Sequence, residues 1–255
     1  MLLAIDIGNT NIKLGLFHEN ILKHSWKMST DVRRTSDEIG SVMKQLFAAH
    51  KVDEIEITSA VISSVIPQLN YTIEHALDYY FDIKSLFVEA GVKTGLKIKY
   101  ENSKDLGADR IVNCVAATKK YGVPFILVDY GTATTFSIVN SKAEFVGGAI
   151  TIGIKTSVEA LARNTAQLPR VELVTPERII GTSTVKCIQS GVIHSNVGAT
   201  KYMIEKIKAE MGERNVKIIA TGGLSELIAE QERLFDIIDR ELSLEGLNII
   251  YNLNQ

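Results

Sequence analysis

Leu2-Leu3-Ala4-Ile5-Asp6-Ile7-Gly8-Asn9-Thr10 opens the chain as an apolar strand that ends in aspartate and runs at once into a turn. Phe125-Ile126-Leu127-Val128-Asp129-Tyr130-Gly131-Thr132-Ala133-Thr134-Thr135 repeats the arrangement. Such a strand delivers a carboxylate to its end beside turn amides and hydroxyls, which together suit a phosphate and its Mg²⁺. The repetition predicts two related halves facing each other across a central nucleotide cleft, each with one phosphate loop, and points to ATP chemistry. In the first copy Gly8 permits close backbone approach, Asn9 and Thr10 offer side-chain hydrogen bonds, and Lys13 can approach a polyphosphate. A type I′-like hairpin turn with Asp6 as turn former is the plainer alternative. In the second copy three threonines crowd hydroxyls around one turn, although a threonine-rich hairpin would look similar.

Around these motifs the pattern predicts strands at 2–7, 11–17 and 21–28. Thr35-Ser36-Asp37-Glu38 is a capping box, and Ile39, Val42, Met43, Leu46 and Phe47 form the apolar stripe of the helix that follows. A strand at about 54–61, a helix over 67–81 and a strand at 84–88 complete the half. This order is that of the ribonuclease-H-like half of actin-like ATPases. The second half restarts with strands at 125–129, 133–140 and 144–147, followed by helices. Further on the pattern predicts a long helical tract over 182–211, a strand at 216–220 and a helix over 224–230. A helix from about 105 to 121 joins the halves. The expected domains are 1–118 and 119–255, both ribonuclease-H-like and α/β.

The formal net charge of −2 gives no electrostatic case for nucleic acid or an anionic membrane. No apolar run approaches a membrane span, so a cytoplasmic protein is expected. Cys114 and Cys187 have no CxxC partner and read as reduced core thiols, and the five histidines lack zinc-site spacing.

Three more segments bear on chemistry. Leu106-Gly107-Ala108-Asp109-Arg110 lies at the start of the joining helix. Asp109 can be a dipole-stabilising first-turn residue, or it can accept a proton from a substrate hydroxyl while Arg110 pairs an anionic group. Ile218-Ile219-Ala220-Thr221-Gly222-Gly223 is a strand running into Gly-Gly, suited to the adenosine end of a nucleotide. Gly148 to Thr156 nearly spells a P-loop, but Lys155 comes one residue too late after Gly153.

Together these segments resemble the type III pantothenate kinases of the actin/sugar-kinase/Hsp70 superfamily over nearly the whole chain. Further landmarks are Ser29-Thr-Asp with Arg34-Thr-Ser-Asp-Glu38, Ile62-Ser-Ser-Val-Ile-Pro67, Gly147-Gly148, Gln189-Ser-Gly191 and Leu244-Glu-Gly-Leu247. The resemblance implies transfer of phosphate from ATP, with Mg²⁺, to pantothenate, the first step toward coenzyme A. It makes Asp109 the general base. It assigns pantothenate to Tyr100, Gly107, Ala108, Asp109, Arg110 and Thr184. ATP would fall to Asp6, Ile7, Gly8, Asn9, Thr10, Asn11, Ile12, Lys13 and Thr132, and a monovalent cation, K⁺ or NH₄⁺, to Asp129. It also implies a homodimer. Arg110 beside Asp109 is expected to keep that carboxylate ionised.

The chain departs from the family pattern at five positions: Ser103 and Ile152 replace prolines, Ser137 an aspartate, Lys186 a glutamate and Ser195 a glycine. The Ser137 and Lys186 changes each remove a negative charge near the inferred site. Two other functions fit the same landmarks: a regulatory accessory factor without activity, and a kinase for another small hydroxyl substrate.

Overall fold

The protein is described here by a computed structural model covering residues 1–102 and 105–255, so the departure at Ser103 lies outside the described residues. In chain order the elements are β1 (Leu2–Ile7), β2 (Asn11–His18), β3 (Ile21–Ser29), α1 (Ser36–Ala49), β4 (Ser59–Ser64), α2 (Pro67–Phe81) and β5 (Ser85–Phe87). Next come β6 (Lys97–Ile98), α3 (Ala108–Tyr121), β7 (Phe125–Tyr130), β8 (Ala133–Val139), β9 (Glu144–Ile152) and α4 (Ile154–Asn164). The chain ends with α5 (Thr184–Met211), β10 (Lys217–Thr221), α6 (Ser225–Ala229), β11 (Ile237–Ile238) and α7 (Leu242–Leu253).

These elements form two units. Unit 1 comprises Met1–Leu96, Glu101–Ala116 and Glu241–Gln255. Its sheet runs in the order β3-β2-β1-β4-β5. β1 is antiparallel to β2 and parallel to β4. Leu3, Ile5 and Ile7 alternate onto one face with Ile12, Leu14 and Leu16 of β2, and α1 and α2 cover that face with Ile39, Met43, Phe47, Leu69, Ile73 and Leu77. The capping box forms: Thr35 Oγ1 accepts from the Glu38 amide, and the Glu38 carboxylate accepts from the Thr35 amide. By the same alternation Ala4, Asp6, Lys13, Gly15 and Ser63 point to the opposite face.

Helix α7 packs on that opposite face. Gly15 makes room for Leu244, whose Cδ1 would lie 2.9 Å from any Cβ at position 15. Gly246 sits directly against the Val112 carbonyl of α3, leaving no space for a side chain. The C-terminal residues therefore fold with unit 1, whereas the pattern had placed all of 119–255 in the second domain. Short-range periodicity cannot report that a helix crosses back to the sheet where the chain began.

Unit 2 comprises Lys97–Tyr100 and Ala117–Arg240. Its sheet runs β11-β10-β7-β8-β9-β6, so β7, β8, β9, β10 and β11 repeat the order of β1 to β5. Each unit thus has the ribonuclease-H-like strand order. Ile126, Val128, Tyr130, Phe136, Ile138, Ile218 and Ala220 bury one face under α4, α5 and α6.

Several boundaries differ from the pattern. The strand expected at 54–61 is β4 at Ser59–Ser64, because Asp53 Oδ1 accepts from the Ile55 amide and turns 54–56 into a 3₁₀ helix with Ile55 exposed. Strand β9 does not stop at 147: Gly147, at φ 136°, takes up the register shift and the strand continues to Ile152. The joining helix begins at Ala108 rather than near 105. The thiols divide: Cys114 is buried but Cys187 is exposed, and no disulfide joins them.

Replacing Gly246 with alanine should force α7 away from α3. We expect Gly246→Ala to lower the unfolding free energy by about 1–3 kcal/mol, the usual cost of overpacking, in a denaturant titration. An unchanged midpoint would contradict this docking.

Candidate active site

In unit 1, Asp6 is the fifth residue of β1, with Lys13 of β2 and Ser63 of β4 as its register neighbours. All three side chains share the face on which α7 lies. Ser63 Oγ donates to Asp6 Oδ1 at 2.7 Å in a buried bond. Lys13 Nζ stands 3.9 Å from Asp6 Oδ2 and donates to Ser243 Oγ of α7 at 3.3 Å. The turn after Asp6 is fastened from both sides. The Gly8 amide bonds to the Asn11 carbonyl at 3.0 Å, and Thr30 Oγ1 donates to the Gly8 carbonyl at 2.6 Å. None of Gly8, Asn9 or Thr10 has a positive φ, so the turn is not of the I′ type. Asn9, Thr10 and Asn11 are exposed, whereas Ile7 and Ile12 are core residues whose ligand contacts would be through backbone only.

Asp109 stands in the first turn of α3, also in unit 1. The Arg110 amide donates to its Oδ1 at 2.8 Å. Gly107 is required here, since a Cβ would lie 2.5 Å from that oxygen. Burial, and after it the charge of Asp6, push the Asp109 carboxyl above its ordinary value of 3.8. The Arg110 amide and guanidinium act the other way and do not offset them. Arg110 thus acts in the expected direction, but desolvation and a like charge outweigh it and the net shift is upward. A carboxylate with raised proton affinity is suited to accept a proton.

In unit 2, Asp129 is the fifth residue of β7, the counterpart of Asp6. Its register neighbours are Thr135 of β8 and Thr221 of β10, so two hydroxyls stand where Asp6 has an ammonium and a serine. Gly222, at φ 90°, closes over the carboxylate, and a Cβ there would lie 2.5 Å from Asp129 Oδ1. The Thr221-Gly222 segment therefore first serves to accommodate Asp129. Ser137 lies two residues beyond Thr135 on the same face, buried opposite Leu127. Among the described residues no three His, Cys, Asp or Glu side chains gather around a metal position. Asp129 with two threonine hydroxyls is an all-oxygen set that fits a hard monovalent cation. Mg²⁺ fits as an ion bound by one or two carboxylates together with nucleotide phosphates.

Thr132 is exposed in the following turn, and its carbonyl accepts from Thr156 Oγ1 at 2.7 Å. Gly153 packs against the same turn as the N-cap of α4, so the P-loop-like stretch serves as a strand-to-helix corner braced on Gly131-Thr132. Thr184 begins α5 and lines a cavity of about 740 Å³ between α4 and α5 with Ile152, Leu161, Cys187, Gly191 and Ser195. Two of the family departures, Ile152 and Ser195, line the same cavity as Thr184, while Lys186 is exposed on the first turn of α5. Asp129 belongs to the sheet face opposite the one α4 and α5 cover, so the structure does not group it with Thr184. Tyr100 packs edge-on against Phe145 with ring centroids 5.9 Å apart and is 38% exposed. Ser63, Thr30 and Ser243 were not singled out as site residues from the sequence, although Ser63 and Thr30 lie within its landmarks.

Because the folded state binds the Asp109 proton more tightly than the unfolded chain, stability contributed here falls as pH rises from about 3.8 through the raised value. Asp109→Asn keeps the acceptor for the Arg110 amide and removes the buried charge. Its melting temperature should exceed that of wild type at pH 8, and the gain should shrink as the pH approaches the ordinary aspartate range. A lower melting temperature at pH 8 would contradict the like-charge account.

Residues 2–206 match the model of the family described as type III pantothenate kinase. Among solved structures, a "conserved putative Baf family transcriptional activator" from Campylobacter jejuni is similar at a TM-score of 0.60 and 19% identity, covering 99% of this chain and 98% of that one. An inorganic polyphosphate/ATP-glucomannokinase from Arthrobacter sp. strain KM is similar at 0.53 and 14% identity, covering 100% and 99%. At such identities these structures speak for the actin-like kinase fold alone.

Proposed function

The chain belongs to the type III pantothenate kinase family, and we propose that it is an active member, transferring the γ-phosphoryl group of ATP to the hydroxyl of pantothenate. The observation that carries this reading is the setting of Asp109 in unit 1: it stands in the first turn of α3, its Oδ1 accepts from the Arg110 amide over Gly107, and desolvation first and the charge of Asp6 second raise its proton affinity. The pantothenate hydroxyl oxygen attacks the γ-phosphorus as its bond to the leaving oxygen of ADP breaks, and the hydroxyl proton passes to the Asp109 carboxylate. The reaction yields 4′-phosphopantothenate and ADP. Phosphoryl transfer depends mainly on positioning and charge stabilisation. The exposed turn from Gly8 to Asn11, Lys13 and Thr132 would hold the polyphosphate. Gly107 to Arg110, Tyr100 and Thr184 would hold pantothenate.

Mg²⁺ would neutralise the phosphate charges. A monovalent cation, K⁺ or NH₄⁺, would be held by Asp129, whose register neighbours Thr135 and Thr221 add hydroxyl oxygens. A homodimer completes the reading, supported by exposed apolar side chains near Thr184, among them Ile152, Leu161 and Val185. No helix of the described residues is long and apolar enough to cross a membrane, and the reading places the enzyme in the cytoplasm.

The test is ADP release from ATP and Mg²⁺ with and without pantothenate, in K⁺ and then Na⁺ buffer. Pantothenate-dependent release that falls in Na⁺ supports both the substrate and the cation site. Turnover with other hydroxyl compounds only would reassign the substrate. No turnover from folded protein would favour an accessory role. Asp109→Asn should cost on the order of 10²–10⁴ in kcat. In wild type, kcat/KM should fall with decreasing pH through a value above 3.8, since the base works ionised and its carboxyl is raised.

A further inference from the structure

Lys13 and Asp6 form an ion pair that is held open. At 3.9 Å the Nζ to Oδ2 separation exceeds a charge-assisted hydrogen bond by about 1 Å. Each partner is instead tied to a buried serine: Asp6 Oδ1 accepts from Ser63 Oγ at 2.7 Å, and Lys13 Nζ donates to Ser243 Oγ at 3.3 Å. Neither serine has freedom to drift. Ser63 is fixed by the pairing of β4 with β1, and its side chain is fully enclosed. Ser243 lies in the first turn of α7, whose seat is set by the next residues: Leu244 fills the space over Gly15, and Gly246 rests on the Val112 carbonyl. Thus α7 touches both β2, which carries Lys13, and α3, which carries Asp109. It lies beyond the residues matched by the family model.

We propose that Ser243 is a positioning residue: from the C-terminal helix it holds the Lys13 ammonium off Asp6, keeping its remaining donors available to the polyphosphate of a nucleotide. The inference rests on the ATP reading of the Asp6–Lys13 turn. An ammonium has three donors, and among the described residues one hydrogen bond, to Ser243, is formed. The Lys13 side chain is 26% exposed, enough for the other donors to meet a ligand. Without the serine hydroxyl the shortest path for the ammonium is closure onto Asp6 Oδ2. That contact would neutralise the loop carboxylate and remove the cation from the phosphates together. The consequence falls on ATP binding, because the side-chain hydrogen bond of Ser243 is the one it accepts from Lys13.

Initial rates should be measured against ATP·Mg²⁺ at saturating pantothenate, with Ser243→Ala, Ser243→Thr and wild type. Ser243→Ala should raise the KM for ATP about tenfold, the size of one charge-assisted hydrogen bond, with kcat and the KM for pantothenate within about twofold. Ser243→Thr, which restores the hydroxyl, should return the KM for ATP toward wild type. In a Lys13→Met background the alanine change should have no further effect on that KM. An unaltered KM for ATP in Ser243→Ala overturns the proposal. So does a fall in kcat without a KM change, no rescue by threonine, or an undiminished effect in Lys13→Met. Calorimetric titration of wild type with ATP·Mg²⁺ separates the two levels. Absence of ATP binding would remove the nucleotide reading and this proposal with it, whereas ATP binding with an unaffected Ser243→Ala removes this proposal alone.

Discussion

Desolvation of Asp109, and after it the charge of Asp6 in the same unit, raise the proton affinity of the Asp109 carboxyl, and the local structure of unit 1 has to accommodate both carboxylates. Carboxylates withdrawn from water, Asp6 buried and Asp109 half-buried, are unfavourable unless each is separately satisfied. Ser63 satisfies one oxygen of Asp6 and the Arg110 amide satisfies one of Asp109. The glycine at 107 removes the Cβ that would displace the second carboxylate. The covered β-sheet face opposite, packed with Leu, Ile and Phe, supplies the stability from which such a site can be held. The raised proton affinity of Asp109 follows from burial and neighbouring charge, which outweigh the cation beside it.

The two units show one architecture put to two uses. In both, the fifth residue of a six-residue central strand is an aspartate with an antiparallel neighbour on one side and a parallel neighbour on the other. The neighbours set the chemistry. Lys13 and Ser63 give Asp6 an ammonium and a hydroxyl donor, so its carboxylate works within a partly balanced set. Thr135 and Thr221 place hydroxyls beside Asp129 in the register. Glycine completes each site in a different way: Gly8 lies in a turn tied to Asn11 and Thr30, while Gly222 takes a positive φ to lie against the carboxylate.

Much of this was legible in the sequence because it is local. The central strands, the capping box at Thr35 and Glu38, and the aspartates at strand ends are written in short-range alternation and composition. The strand order of each unit followed from the order of elements. What escaped depends on long-range packing or on competing local bonds. Ile55 and Ile57 mimic a strand, yet the Asp53 side chain turns Glu54–Glu56 into a 3₁₀ helix and leaves Ile55 in solvent. The helix Leu242–Leu253 was not among the expected elements, and nothing within the segment announces that it returns to β1 and β2. The net upward shift in the proton affinity of Asp109 was not legible. Arg110 is adjacent in sequence and visible, whereas Asp6 and the depth of burial are spatial facts. The serines at 63 and 243 are ordinary residues until their partners are known.

The proton affinity of Asp109 is the quantity on which this account turns. It can be followed directly by NMR titration of the side-chain carboxyl carbon in wild type and in Asp6→Asn. The account predicts a midpoint above the ordinary 3.8 in wild type and a lower midpoint once the charge at position 6 is removed, with burial leaving part of the elevation in place. A midpoint at or below 3.8 in wild type, or one indifferent to Asp6→Asn, would contradict it.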